Sequence, residues 1–177
     1  VETIRRELAA RIRGQKIKAI TVGKPKLVSG KGNIRSASSR KVKEFIAKLR
    51  GETITDIARR AKNLIVHFKS GKLLLVHLKM TGQLVYAERG KSLADGGRPN
   101  KLTGIELPNQ HTHIIFELSR GTLYYNDPRK FGYLLYYPNL KKLEATGHFK
   151  EIGPDPLDRE FTLKRFAQVL KEGKGRL

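Results

Sequence analysis

The chain runs to 177 residues, with 37 Lys and Arg against 16 acids and a formal charge of +21. That length suits one domain with its own core and is short for two, and a charge of that size favours a polyanionic partner. No apolar run approaches the roughly 18–20 residues that span a bilayer, and with no cysteine present, disulfides and thiolate metal sites are excluded. The basic residues are spread over every segment rather than gathered on one amphipathic helix, which favours nucleic acid over a membrane surface. None of the five histidines sits in a zinc-binding pairing such as H-E-x-x-H, and no signal peptide is visible, which points to the cytoplasm.

Val1–Ile12 reads as an amphipathic helix with Val1, Ile4, Leu8 and Ile12 on one face and Gly14 as its stop. It opens already in phase, without an initiator Met or a capping residue, so the natural start is expected upstream. Lys16–Val22 alternates as a half-buried strand, and Gly23–Ser38 reads as a basic loop or an irregular pair of strands. Ser38 or Ser39 can cap a second helix that turns Val42, Phe45, Ile46 and Leu49 inward. Thr53–Ile57 returns to a sheet, and Asn63–Phe68 with Lys72–His77 forms a hairpin about Lys69-Ser70-Gly71. Gln83–Tyr86 is a further strand. Ala87–Gln110 is a long, polar, Gly- and Lys-rich excursion of the kind that is functional or mobile. His113–Leu118 and Thr122–Tyr125 make the next hairpin, Gly153–Pro156 a rigid turn, and a last helix carries Phe161, Leu163, Phe166, Val169 and Leu170. The spacing fits an α+β, mainly β fold, an antiparallel two-layer β-sandwich or a barrel of about eight strands flanked by helices, better than any βαβ array.

The segment YYNDPRKFGYLLYY, Tyr124–Tyr137, has two apolar runs about a polar insert. Asn-Asp-Pro signals a turn, in which the Asp can cap its own backbone. A strand–turn–strand unit would leave Arg129, Lys130 and Phe131 at a tip. An aromatic beside two cations suits a protein that opens a duplex, the cations meeting phosphates or base edges while the ring wedges between base steps. The plainer alternative is a surface hairpin whose Phe folds back on its own strands.

Six segments in order resemble the N-terminal domain of bacterial formamidopyrimidine-DNA glycosylase: VETIRREL from Val1, RRAKNLIV from Arg59, HLKMTGQL from His77, HTHIIFEL from His111, YNDPRKFG from Tyr125 and IGPDPL from Ile152. The resemblance implies an Fpg-like sandwich over 1–157, and over 158–177 a helix leading toward a helix–two-turns–helix and zinc-finger domain. It implies a monomeric base-excision-repair glycosylase/AP lyase that flips oxidised purines such as 8-oxoguanine out of double-stranded DNA. Met80, Arg129 and Phe131 match the family's three inserted side chains. Arg129 is assigned to the orphaned cytosine, Phe131 to the wedge and Met80 to the void left by the base; the types suit these tasks. Lys62 matches a lysine near the lesion and its phosphates, and His77 a phosphate contact. His111 and His113 match a similar pair, and Glu2 an acid of the opening motif that supports catalysis. Lys79 stands where Gly or Arg is familiar, and Lys130 replaces an Arg while keeping charge beside the DNA.

In the family a Pro-Glu pair ahead of the Val-Glu-Thr segment supplies the amine nucleophile and the proton-handling acid. This sequence begins at Val1, so no catalytic nucleophile is assigned here and the chain alone is expected to be inactive. The family's single zinc ion belongs to a four-cysteine module, so no cofactor is expected in this chain. Two other readings remain open at this stage. One is an endonuclease VIII-type enzyme for oxidised pyrimidines, against which the DPRKFG segment speaks. The other is a non-enzymatic basic RNA- or DNA-binding protein.

Overall fold

The computed structural model describes residues 1–31, 36–88, 106–150, 152–158 and 160–172. Most of the Ala87–Gln110 excursion lies outside the described residues. Two antiparallel four-stranded sheets face one another. The first runs β1 (Ile17–Val22), β6 (Thr112–Leu118), β7 (Gly121–Asn126), β5 (Gln83–Glu88). The second runs β2 (Ile54–Arg60), β3 (Asn63–Phe68), β4 (Leu73–His77), β8 (Tyr133–Tyr137).

The two-residue period of a strand divides the second sheet's apolar side chains between two cores. Leu64, Val66, Leu74, Val76 and Leu134 join Leu84, Tyr86, Ile114, Phe116 and Tyr125 of the first sheet in the main core. Their neighbours Ile65, Leu73, Leu75, Tyr133 and Tyr137 form a second cluster with Leu143 and Phe149. Burial on both faces explains why β3 and β4 read as continuous apolar runs instead of alternating. Each fully buried Leu or Val side chain contributes about 1.5–3 kcal/mol.

Helices close the open sides. α1 (Glu2–Ile12) contacts β2 and β5, outer strands of different sheets, and α2 (Ser39–Leu49) contacts β1 and β8, the other outer pair. α1 buries Leu8 and Ile12, but Val1 stays 38% exposed. α2 buries Phe45 and Leu49, and the Ser38 side chain accepts from the Lys41 amide at its start. Two short elements go beyond the expected pattern. A 3-10 turn at Pro25–Val28 tucks Leu27 and Val28 inward, and α3 (Leu140–Ala145) covers the outer cluster through Leu143, capped by Asn139. α4 (Leu163–Glu172) buries none of its residues, and leaves Leu163, Phe166 and Leu170 exposed. No helix among the described residues is long and apolar enough to cross a membrane.

One expectation needs correcting. The runs on either side of Asn126–Gly132 do not form a hairpin, because β7 lies in the first sheet and β8 in the second. β7 already pairs with β6 on one side and β5 on the other, so no edge is left for β8. β8 therefore pairs with β4, and the insert crosses from one sheet to the other.

Candidate nucleic-acid interface

The crossing has a neighbour. β4 leads to β5 through Leu78–Gly82, and this connection also passes from the second sheet to the first. Since β4 pairs with β8 (His77 opposite Tyr133) and β5 pairs with β7 (Gln83 opposite Asn126), the two crossings start and finish beside one another. They form a two-ply strap over one end of the sandwich. Sequence distance hides this; pairing enforces it.

Asp127 ties the plies together. It is fully buried, and its carboxylate accepts from the Thr81 hydroxyl at 2.5 Å, the Gly132 amide at 2.8 Å and the Tyr125 hydroxyl at 3.3 Å. Its carbonyl accepts from the Lys130 amide at 3.1 Å and from His113 Nε2–H at 2.9 Å, and its amide donates to the His111 carbonyl at 3.0 Å. Two glycines let the backbones approach this closely. A Cβ on Gly82 would lie 2.5 Å from the Leu78 carbonyl oxygen, and one on Gly132 would lie 1.8 Å from the Tyr125 hydroxyl and 2.8 Å from the His77 carbonyl oxygen.

Outside the strap, Met80, Arg129 and Phe131 meet. Arg129 donates to the Met80 sulfur at 3.4 Å, and its guanidinium lies 4.7 Å from the centre of the Phe131 ring. Met80 is 69% exposed and Phe131 38%, so the two apolar groups flank the cation at the surface instead of joining the core. Such a cation–π pair contributes roughly 0.5–1 kcal/mol at an exposed site, too little to account for keeping both apolar groups in water.

Backbone strain marks the same rim. Among the described residues the non-glycine positions with positive φ are Ala61 (51°), Lys79 (53°) and Lys130 (56°). Each immediately precedes a residue singled out in the sequence: Lys62, Met80 and Phe131. The left-handed region costs an L-residue roughly 1–2 kcal/mol, and strain of this kind concentrates where a side chain must be aimed. Arg59 Nη1 donates to the Ala61 carbonyl at 3.1 Å and so braces the first of these turns.

Lys62 is exposed on that turn, at the end of the row Asn63–His77–Tyr133 that crosses β3, β4 and β8. His77 is half-buried, and burial, reinforced by Lys79, His148 and Lys62, pushes its pKa from 6.5 down to about 4. Its Nδ1 accepts from the Lys79 amide at 3.0 Å, which leaves the proton of the neutral ring on Nε2 as a donor. His111 is partly exposed beside the strap, with its amide donating to Asn109 Oδ1. His113 is only 3% exposed and, with burial lowering its pKa, supports the loop from beneath instead of presenting a ring to the surface. Lys130 is partly exposed between Arg129 and Phe131.

Glu2 is fully engaged, and Arg59 joins it to the Ala61 turn. Arg5, Arg6 and Arg59 all donate to its carboxylate, and Arg59 also grips Asp155 at 2.6 Å. The Arg5 hydrogen bond, opposed by partial burial and aided by Arg6 and Arg59, draws the Glu2 pKa down to about 2. An acid so held keeps no proton near neutrality; it fastens α1 to β2 and to the 153–156 turn. Among the described residues no cluster of His, Asp and Glu is arranged to hold a metal, and the zinc implied by resemblance finds no cysteine ligand in this chain.

Sequence reasoning missed Asp127 as a tie between loops, along with Thr81, Asn63 and His148. The available signal was an Asp-Pro followed five residues after the Asp by Gly132, a spacing that lets the side chain close on that amide.

The match to known proteins covers the same residues. A family model described as the formamidopyrimidine-DNA glycosylase N-terminal domain matches residues 1–134, which includes both plies of the strap. The chain belongs to the formamidopyrimidine-DNA glycosylase family. The enzyme of that name from Pelotomaculum thermopropionicum is 35% identical over 178 residues, covering 100% of this chain and 55% of its own length. That from Rhodopseudomonas palustris is 34% identical over 172 residues, covering 96% and 54%. Among solved structures, the Lactococcus lactis glycosylase bound non-covalently to DNA containing an abasic site aligns with a TM-score of 0.70 and 30% identity, covering 97% of this chain and 56% of that one. The same enzyme with Fapy-dG DNA aligns equally well, at 0.70. The chain thus spans about half the length of the formamidopyrimidine-DNA glycosylases it matches.

Proposed function

We propose that this chain is the duplex-engaging domain of a bifunctional DNA glycosylase/AP lyase that removes oxidised purines in base-excision repair. The observation that carries the reading is the meeting of Met80, Arg129 and Phe131 on a strap tied at its root by Asp127. In this reading the strap is pressed into a double helix from which the damaged nucleotide has rotated outward. Phe131 stacks against the opened base step, and Met80 fills the irregular space. Arg129 leaves the Phe131 face and offers its planar fork to the acceptors of the estranged cytosine. Lys62 and the neutral His77, with its Nε2–H, hold backbone phosphate nearby. The lesion-bearing DNA of the Lactococcus lactis complexes is the ligand class this supports.

Fluorescence anisotropy with duplexes carrying a tetrahydrofuran abasic analogue opposite each of the four bases tests this reading. The chain should prefer the lesion duplex with cytosine opposite over intact duplex and structured RNA. Arg129→Ala should level the preference among opposing bases. Equal affinity for all three nucleic acids, lost in parallel as salt rises, would instead identify a basic binder that reads phosphate alone.

A further inference from the structure

We propose that His148, Lys31 and Lys79 form a second phosphate subsite beside Lys62 and His77, which takes another backbone phosphate of the same nucleic acid. The proposal rests on the duplex-binding reading above. Its scaffold is Tyr133, a buried ring with His77 on one side at 5.2 Å and His148 on another at 6.3 Å, and with the Lys79 ammonium 6.0 Å from its centre. His148 is fixed from behind: Nε2 lies 3.0 Å from Asn63 Oδ1, and the Phe149 ring packs edge-on at 4.9 Å. Asn63 is 3% exposed and its own amide nitrogen donates to the Arg60 carbonyl, so its oxygen accepts and His148 Nε2 carries the proton.

Among the described residues, the charges that act on the two rings are positive. His77 feels Lys79, His148 and Lys62, while His148 feels Lys31 and Lys79. The ion-paired carboxylates among the described residues, Glu2, Glu52, Asp56 and Asp155, are bound to Arg5, Arg6, Arg13, Arg59 and Lys72, and none serves this cluster. Among the described residues, two partly buried imidazoles lie among three lysines with no ion-paired carboxylate serving them, an arrangement that an external anion completes. The two rings meet that anion differently. His77 can donate through Nε2–H while neutral, but His148 has committed its Nε2–H to Asn63 and reaches an anion only through Nδ1, once it takes a second proton. Occupation of the second subsite therefore draws in a proton, and affinity rises as pH falls.

The test follows the histidine ring signals by NMR while inorganic phosphate is added at pH 6.5, with chloride at matched ionic strength as control. Phosphate should shift both the His77 and the His148 resonances and raise the pH at which His148 titrates. Lys31→Gln, at an exposed position that leaves the fold alone, should weaken the His148 response about threefold, as befits the loss of one nearby positive charge. On duplex DNA, Lys31→Gln combined with His148→Gln should lower the slope of log affinity against log salt by about 0.9 per phosphate lost. A phosphate response no greater than chloride's would overturn the subsite. A normal phosphate response with an unchanged slope would overturn its assignment to backbone phosphate. If the wild-type chain failed to bind duplex while phosphate still moved both rings, the duplex-binding reading would fall and the cluster would be a small-anion site only.

Discussion

Replacing Asp127 with alanine removes the tie between the two plies and should be among the most damaging single changes in the protein. The side chain has no solvent exposure, and it accepts from the Gly132 amide at 2.8 Å and the Thr81 hydroxyl at 2.5 Å. The second distance is in the range of charge-assisted O–H···O bonds. Alanine takes the carboxylate away from the buried Gly132 amide, at about 1–3 kcal/mol, and from the partly buried Thr81 hydroxyl, at about 1–2 kcal/mol, or roughly 2–5 kcal/mol together. That is a large share of the 5–15 kcal/mol or so that holds a typical domain together. Asparagine behaves differently. Its oxygen can still take the Gly132 amide, and its NH2 can donate to the Thr81 hydroxyl, which also accepts. Only charge assistance is lost, at roughly 1–2 kcal/mol. Urea denaturation at unchanged m-value should therefore rank wild type above Asp127→Asn and place Asp127→Ala well below both. Thr81→Val should cost about 1–2 kcal/mol in the wild type and much less in the Asp127→Ala background. If Asp127→Ala came within 1 kcal/mol of Asp127→Asn, the tie would not be what holds the strap.

Gly132→Ala should destabilise by about 3 kcal/mol in the same assay, since the new methyl meets a buried Tyr125 hydroxyl and the His77 backbone; Tyr125→Phe should restore only part of that loss. Lys130→Gly should raise stability by about 0.5–1 kcal/mol, because relief of the left-handed backbone outweighs the added freedom of the unfolded chain. It should also weaken binding to lesion duplex as Phe131 loses its aim, and a drop in melting temperature would show that Lys130 carries no strain. Glu2 has its folded pKa depressed to about 2 from 4.5, so its stabilisation is full above pH 4.5 and lost as pH falls through 2. The stability gap between wild type and Glu2→Gln should accordingly be present at pH 7 and close toward pH 2; a constant gap would mean the carboxylate's charge is not the source.

Much of the fold was legible because strand period and turn chemistry are local. Asn63–Phe68 and Leu73–His77 announce themselves, and so does the Ser38 cap. The partnership of β4 with β8 was not legible. It depends on β7 having both edges filled, a fact about strands far apart in sequence, and the hairpin expected at Asn126–Gly132 failed for that reason. The site divides the same way. Met80, Arg129 and Phe131 could be singled out by residue type and motif, but their meeting needed the two crossings to run side by side in opposite directions. Asp127 read as a turn residue because its partner Thr81 lies 46 positions away. His148 gave no sign at all, since its importance comes from Asn63 and Tyr133, on two strands far from it in sequence.

A tip at the end of a free hairpin bends when it is pushed, since its two legs share one root. Here each loop springs from one wall and lands on the opposite wall, in the manner of an arch, with Asp127 as the keystone where two arches touch. Thrust against Phe131 is then carried down both abutments into the packed strands, so that, on the function proposed above, the work of prising apart a stacked base step would not be spent flexing the tool.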